Sequence, residues 1–201
     1  MTILVIASGN AGKVREFAQL LAGLNIEVQP QPDGLSVEET GCSFAENARL
    51  KASAVARACG HWALADDSGL SVNALGGAPG VHSARYARSD SARIERLLRE
   101  LAAADAAAMG RGEPADRSAC FHAALAVADP SGEVVLQVEG LCNGVILEAP
   151  RGAGGFGYDP VFQLPELGQT FAEMPRELKA RLGHRGRAFA LLEPQLKALL
   201  N

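Results

Sequence analysis

No stretch of this 201-residue chain approaches the roughly 18 consecutive apolar residues that mark a membrane-crossing helix. The apolar run Ile3 to Ala7 is too short for a signal-peptide core and has no positive flank, so the protein is expected to be cytoplasmic, with no membrane partner. Paired cysteines are missing too: Cys42, Cys59, Cys120 and Cys142 show no C-x-x-C spacing and no histidines at metal-ligand range. They are expected to be small buried hydrophobes in a reducing compartment. Positive charge is not in excess, and a formal net charge of -4 argues against broad binding to nucleic acid. It leaves room for a small anionic substrate gripped by a local Lys and Arg cluster. No repeat or linker interrupts the chain, so a single domain over residues 1–201 is expected, and 48% hydrophobic residues suffice for one sizeable core.

The β-branched run Ile3-Leu4-Val5-Ile6 predicts a buried strand, and after Ser8-Gly9-Asn10 the period changes: Val14, Phe17, Ala18, Leu21 and Leu24 recur at helical spacing. Ser43-Phe44-Ala45-Glu46 has the form of a capping box and opens a second helix reaching Cys59. A strand from Trp62 is expected to end at Asp66-Asp67. Ile94, Leu97, Leu98 and Leu101 mark another helix, and the second half of 102–113 reads as a surface loop. Strand-like runs over 118–128 and 133–142 flank the turn Asp129-Pro130-Ser131-Gly132. A short helix from about Pro175 and a final one from about Gly186 to Leu200 close the chain. The expected class is α/β, a mixed sheet flanked by helices.

Adjacent carboxylates at a strand end repel unless a cation or proton lies between them, so Asp66-Asp67 points to a divalent metal site. Glu38-Glu39-Thr40-Gly41 adds acids that the intervening helix and strand could return to the same place, and Glu39 with Asp67 matches the one or two protein carboxylates that magnesium takes. Judged alone, either glutamate could equally be a solvated loop acid, and Glu46 reads as a cap. Ser8-Gly9-Asn10-Ala11-Gly12-Lys13 joins strand to helix, where free N–H groups and the helix dipole attract an anion. It lacks the first glycine of a Walker A loop, and a plain turn with a solvated lysine fits the spacing as well. Lys179, His184, Arg185 and Arg187 could neutralise a polyphosphate or form an ordinary solvated helix end. Phe156-Gly157-Tyr158-Asp159 offers either a purine-stacking surface with an acceptor or a structural turn with both rings in the core.

Taken in order, Ser8-Gly9-Asn10-x-x-Lys13, Glu39-Thr40-Gly41, Glu46-Asn47-Ala48, Ala65 to Leu70, Gly76-Gly77-x-Pro79-Gly80-x-x-Ser83-Ala84-Arg85, Gly154 to Pro160 and His184-Arg185-Gly186 resemble the inosine/xanthosine triphosphate pyrophosphatases, the Ham1 or RdgB-like family. The resemblance implies an elongated mixed sheet in two lobes with a central substrate cleft, and a homodimer. It also implies magnesium-dependent hydrolysis of ITP, dITP and XTP to monophosphate and pyrophosphate, with manganese a possible substitute. By matching motif, Asp67 would accept the proton, and Glu39 with Asp67 would hold the metal. Ser8, Gly9, Asn10, Ala11, Gly12, Lys13, Ser68, Phe156, Gly157, Tyr158, Asp159, Lys179, His184 and Arg185 would bind substrate. Gly183 departs from the pattern, standing where many relatives have Ser. A broader nucleotide pyrophosphatase and a nucleotide sensor without catalysis are the competing expectations.

Overall fold

The computed structural model describes residues 2–200. β1 (Thr2–Ile6), α1 (Ala11–Leu21) and β2 (Ile26–Pro30) are followed by α2 (Phe44–Cys59), β3 (Trp62–Val72) and α3 (Asp90–Gly110). Then come β4 (Ser118–Ala128), β5 (Val134–Ile146), β6 (Phe162–Leu164), β7 (Gln169–Thr170), α4 (Arg176–Leu182) and α5 (His184–Leu200). The strands form one sheet in the order β2-β1-β3-β4-β5-β6-β7. β1 pairs parallel with β2 and β3, whereas β6 pairs antiparallel with β5 and β7, so the sheet is mixed as expected.

The chain divides into two compact units. The first comprises the chain up to Asp67, Ala123–Gly140, and the chain from His184 onward. Its strands alternate faces, as the pleat requires. Leu4, Ile6, Leu64, Leu125 and Val127 pack with Phe17 and Leu21 of α1 and Phe189 and Leu192 of α5, while Val5, Ala7, Ala63, Ala65, Ala124 and Ala126 pack with Ala48, Ala52 and Val55 of α2. Burying Phe17 or Leu21 fully contributes about 1.5–3 kcal/mol each before conformational entropy is counted. Gly140 has no side chain because a Cβ there would strike the His184 carbonyl and Ala188 of α5.

The second unit comprises Ser68–His122 and Leu141–Gly183. Its core joins Leu97 and Leu101 of α3 to Phe121, Phe162 and Phe171, the ring pair Phe121 and Phe162 meeting edge to face at 4.6 Å. The glycine-rich segment after β3 has a structural role here. Ser83 Oγ accepts from Leu70 N at 2.9 Å and donates to Gly80 O at 2.6 Å, tying the segment to β3.

Several expectations change. β3 runs five residues past the expected ending at Asp66-Asp67, to Val72, because Leu70 and Val72 continue its buried alternation. α3 extends to Gly110, since the alanine-rich tail has the highest helix propensity and stays helical though exposed. α5 begins at His184, placing His184 and Arg185 in its first turn rather than in a loop. Among the described residues Cys142 is buried, Cys42 is exposed, Cys59 and Cys120 are half-buried, and none forms a disulfide. Among the described residues no helix is long and apolar enough to cross a membrane.

Candidate functional site

Asp66 and Asp67 lie within β3, so the pleat turns their side chains to opposite faces. They do not share one cation between them; each has cations of its own. On one side, Asp66 Oδ2 accepts from Lys13 Nζ at 2.7 Å and from Arg185 Nε at 3.3 Å, and Glu16 Oε2 takes Arg185 Nη1 at 3.1 Å. The other side gathers around Lys51, whose ammonium reaches Asp67 Oδ1 at 2.8 Å, Glu39 Oε1 at 2.9 Å and the Asp66 carbonyl at 2.9 Å.

Lys51 and Glu16 were not singled out by the sequence reading. A lysine in mid-helix reads as solvated surface. The available signal was its position four residues after the buried Asn47 and next to Ala52, on the face of α2 that meets the sheet. Glu16 follows Lys13 by three residues, which on α1 places the two on neighbouring positions.

Local folding explains the phosphate-loop candidate. Asn10 is the N-cap of α1, and its Oδ1 accepts from Gly12 N at 2.8 Å and Lys13 N at 3.3 Å, while its own N–H donates to Ser8 Oγ at 3.2 Å. Part of the expected anion cradle is thus held by the loop's own side chains. Burial lowers the Lys13 pKa from 10.5, against the opposing pull of Asp66. For Lys51 burial acts the same way, but Asp67 and Glu39 outweigh it and raise its pKa above 10.5. Asp67 is pushed above 3.8 by burial, with Lys51 opposing.

Asp67 Oδ2 is buried without a hydrogen-bond partner among the described residues. Together with Glu39 it presents hard carboxylate oxygens, and the Lys51 ammonium already marks the space between them as cationic. That donor set fits a magnesium-like ion, which takes one or two protein carboxylates and completes its shell with water and phosphate oxygens. Among the described residues no group of three or more His, Cys, Asp and Glu forms a full protein cage.

The second unit holds the remaining candidates, Ser68 among them. Asp159 Oδ2 accepts from Phe156 N at 2.9 Å and from Lys179 Nζ at 2.5 Å, and Gly155 accommodates that carboxylate where any Cβ would collide with it. Gly157 N donates to Asp90 Oδ2 at 2.7 Å. Tyr158 is buried and its hydroxyl donates to the Ser83 carbonyl at 2.9 Å, so its ring is core and not a stacking surface. Phe156, 37% exposed, is the aromatic face that remains, with Lys179 Nζ 4.9 Å from its ring centroid. It borders a cavity of about 570 Å³ lined also by Ile94, Leu98 and Pro160. Gly183 ends α4 by donating to Lys179 O at 2.8 Å, and a Cβ there would lie 2.7 Å from that oxygen. His184 and Arg185 belong to the first unit, both nearly buried, and Arg185 is turned onto Asp66 and Glu16.

The motif order agrees with the comparison to known proteins. The Ham1 family model matches residues 4–195. The chain belongs to the Ham1 family. A relative named dITP/XTP pyrophosphatase from Synechococcus sp. (strain CC9311) is 62% identical over 198 residues, covering 98% of this chain and 91% of the relative. Another of that name from Nostoc sp. (strain PCC 7120 / SAG 25.82 / UTEX 2576) is 53% identical, covering 99% of this chain and 96% of the relative. Among solved structures, a HAM1 protein from Coxiella burnetii superposes with a TM-score of 0.88 at 40% identity, covering 98% of this chain and 100% of that one. Family membership accounts for the mixed sheet and for the ordered motifs along the chain.

Proposed function

We propose that this Ham1-family chain hydrolyses the triphosphates of deaminated purine nucleosides, ITP, dITP and XTP, to the monophosphate and pyrophosphate, clearing them from the nucleotide pool. The observation that carries the reading is the pair of opposite-facing aspartates: Asp67 with a buried unpartnered oxygen beside Glu39 and Lys51, and Asp66 holding Lys13. Relatives of 53–62% identity carry the matching name.

In this reading the oxygen of a water attacks the α-phosphorus, the bond to the bridging oxygen breaks, pyrophosphate leaves and the water's proton passes to Asp67. A buried carboxylate with a raised pKa is better matched to accept a proton near neutrality than an ordinary one. Glu39 and Asp67 would hold magnesium, or manganese in its place, whose bound charge would offset charge developing on the phosphates. Lys13 and Lys51 add two ammonium groups for the same purpose. Ser8 to Gly12 would receive phosphate oxygens on whatever donors the Asn10 cap leaves open.

Phe156 would stack on the base, and the donor beside that ring is the Lys179 ammonium. A 6-oxo purine accepts from such a donor, whereas the 6-amino group of adenine faces it donor to donor, so ATP should be turned over poorly. Asp159 and Arg185 act by holding Lys179 and Asp66 in place, and His184 stands beside Arg185 at the start of α5. The reading extends to a cytoplasmic homodimer, supported by the family resemblance. Purified protein given ITP, dITP, XTP, GTP and ATP, with magnesium or EDTA, tests the activity. Pyrophosphate should appear from the first three only with metal, and equal rates for ATP and ITP, or release of single phosphates, would refute it.

A further inference from the structure

Asn47 lies in the first turn of α2 and its side chain is wholly buried. Asparagine is a poor choice for a helix core position, because its amide competes with the backbone and loses water on burial. Its Nδ2 indeed finds no hydrogen-bond partner among the described residues. The acceptor end does: Oδ1 takes Gly41 N at 2.8 Å. The next N–H along, that of Cys42, donates to Glu46 Oε2 at 2.7 Å. The loop backbone is pressed so closely on the helix that a Cβ on Gly41 would lie 2.7 Å from both Asn47 Oδ1 and Glu46 Cβ. Two residues before this clasp is Glu39, whose carboxylate reaches Lys51, one helical turn beyond Asn47 on the same helix.

We propose that Asn47 is a positioning residue for the cation site: its Oδ1 latches the 39–41 loop to α2 and so aims Glu39 at the space it shares with Asp67. This rests on the reading of Glu39 and Asp67 as holders of a divalent ion. The latch explains why a polar side chain is kept where an apolar one would be more stable. Groups behind metal ligands commonly set affinity by about 10–100-fold when removed.

The test is Mn2+ binding to the full chain without substrate, read from the electron paramagnetic resonance signal of free Mn2+, with thermal melting alongside. N47A should raise the Mn2+ Kd about 10–100-fold. G41A, which keeps Asn47 but forces the loop off the helix, should weaken binding similarly and carries the test should N47A not fold. S43A removes the N-cap of the same helix, where Ser43 Oγ accepts from Glu46 N, without touching the latch. It should leave Mn2+ affinity within about 3-fold while lowering the melting temperature. Wild-type affinity in folded N47A or in G41A, or an equal loss in S43A, overturns the inference. Unchanged binding by E39Q would instead overturn the metal reading itself and the inference with it.

Discussion

Replacing Lys51 by Met keeps an unbranched side chain one atom shorter and deletes the charge that separates Glu39 from Asp67. At 2.8 Å and an effective dielectric of about 20, the attraction to Asp67 is roughly 6 kcal/mol before desolvation is subtracted. Breaking a buried pair by removing one partner costs about 3–5 kcal/mol. Glu39 is 26% exposed and can relax toward water, whereas the Asp67 side chain is 9% exposed and cannot. A net loss of about 2–4 kcal/mol follows, or roughly 5–15 °C in Tm for a chain of this length. The loss should be complete near neutral pH and shrink in acid. Asp67 has a folded pKa already raised above 3.8, removal of Lys51 raises it further, and protonation abolishes the uncompensated charge. In the wild type, stabilisation from Lys51 should persist through alkaline pH and disappear only as pH rises through its elevated pKa. Saturating magnesium should restore K51M more than it raises the wild type, since the dication replaces a missing charge. Differential scanning fluorimetry in EDTA and in magnesium, across pH, reads all of this. Melting of K51M within 2 °C of wild type in EDTA, or an equal magnesium gain in both proteins, would refute the picture of Lys51 as the resident cation.

Further outcomes are expected elsewhere in the molecule. Asp67→Asn should lower kcat by about 10²–10⁴-fold while substrate still binds, as measured by pyrophosphate release and by equilibrium titration with ITP. Lys13→Ala should raise KM for ITP about 10–100-fold, the loss of one charge-assisted phosphate contact. Phe156→Ala should raise KM about 5–100-fold for ITP and leave the Tm nearly unchanged, because the ring is 37% exposed and its work is stacking. Tyr158→Phe should cost about 1 kcal/mol of stability through its lost bond to Ser83 O, with no direct effect on base binding.

The elements that sequence made legible are those whose signals are local. The strand run from Ile3, the Ser43 cap and the turn at Asp129, where Oδ1 accepts from Ser131 N and Glu133 N, all stand where their residue chemistry places them. The end of β3 was not legible, because Ser68-Gly69 resembles a turn until Leu70 and Val72 are seen to bury. Nor did charge alone separate ligand from scaffold. Lys51 stands in mid-helix and Arg185 sits in a basic cluster, and only the packing of α2 and α5 on the sheet brings them to Asp67, 16 positions away, and Asp66, 119 positions away. Tyr158 and Phe156, two residues apart, look equivalent as aromatic surface, yet one hydroxyl bond commits Tyr158 to the interior.

The half-turn of the pleat between residues 66 and 67 makes the neighbouring letters non-interchangeable. Slipping β3 by one position would turn Asp66 toward Lys51 and leave Ala65 in the place that faces Lys13 and Arg185, with composition and net charge untouched. Loss or gain of a single residue between Trp62 and Ala65 should therefore silence the protein as surely as deleting both acids.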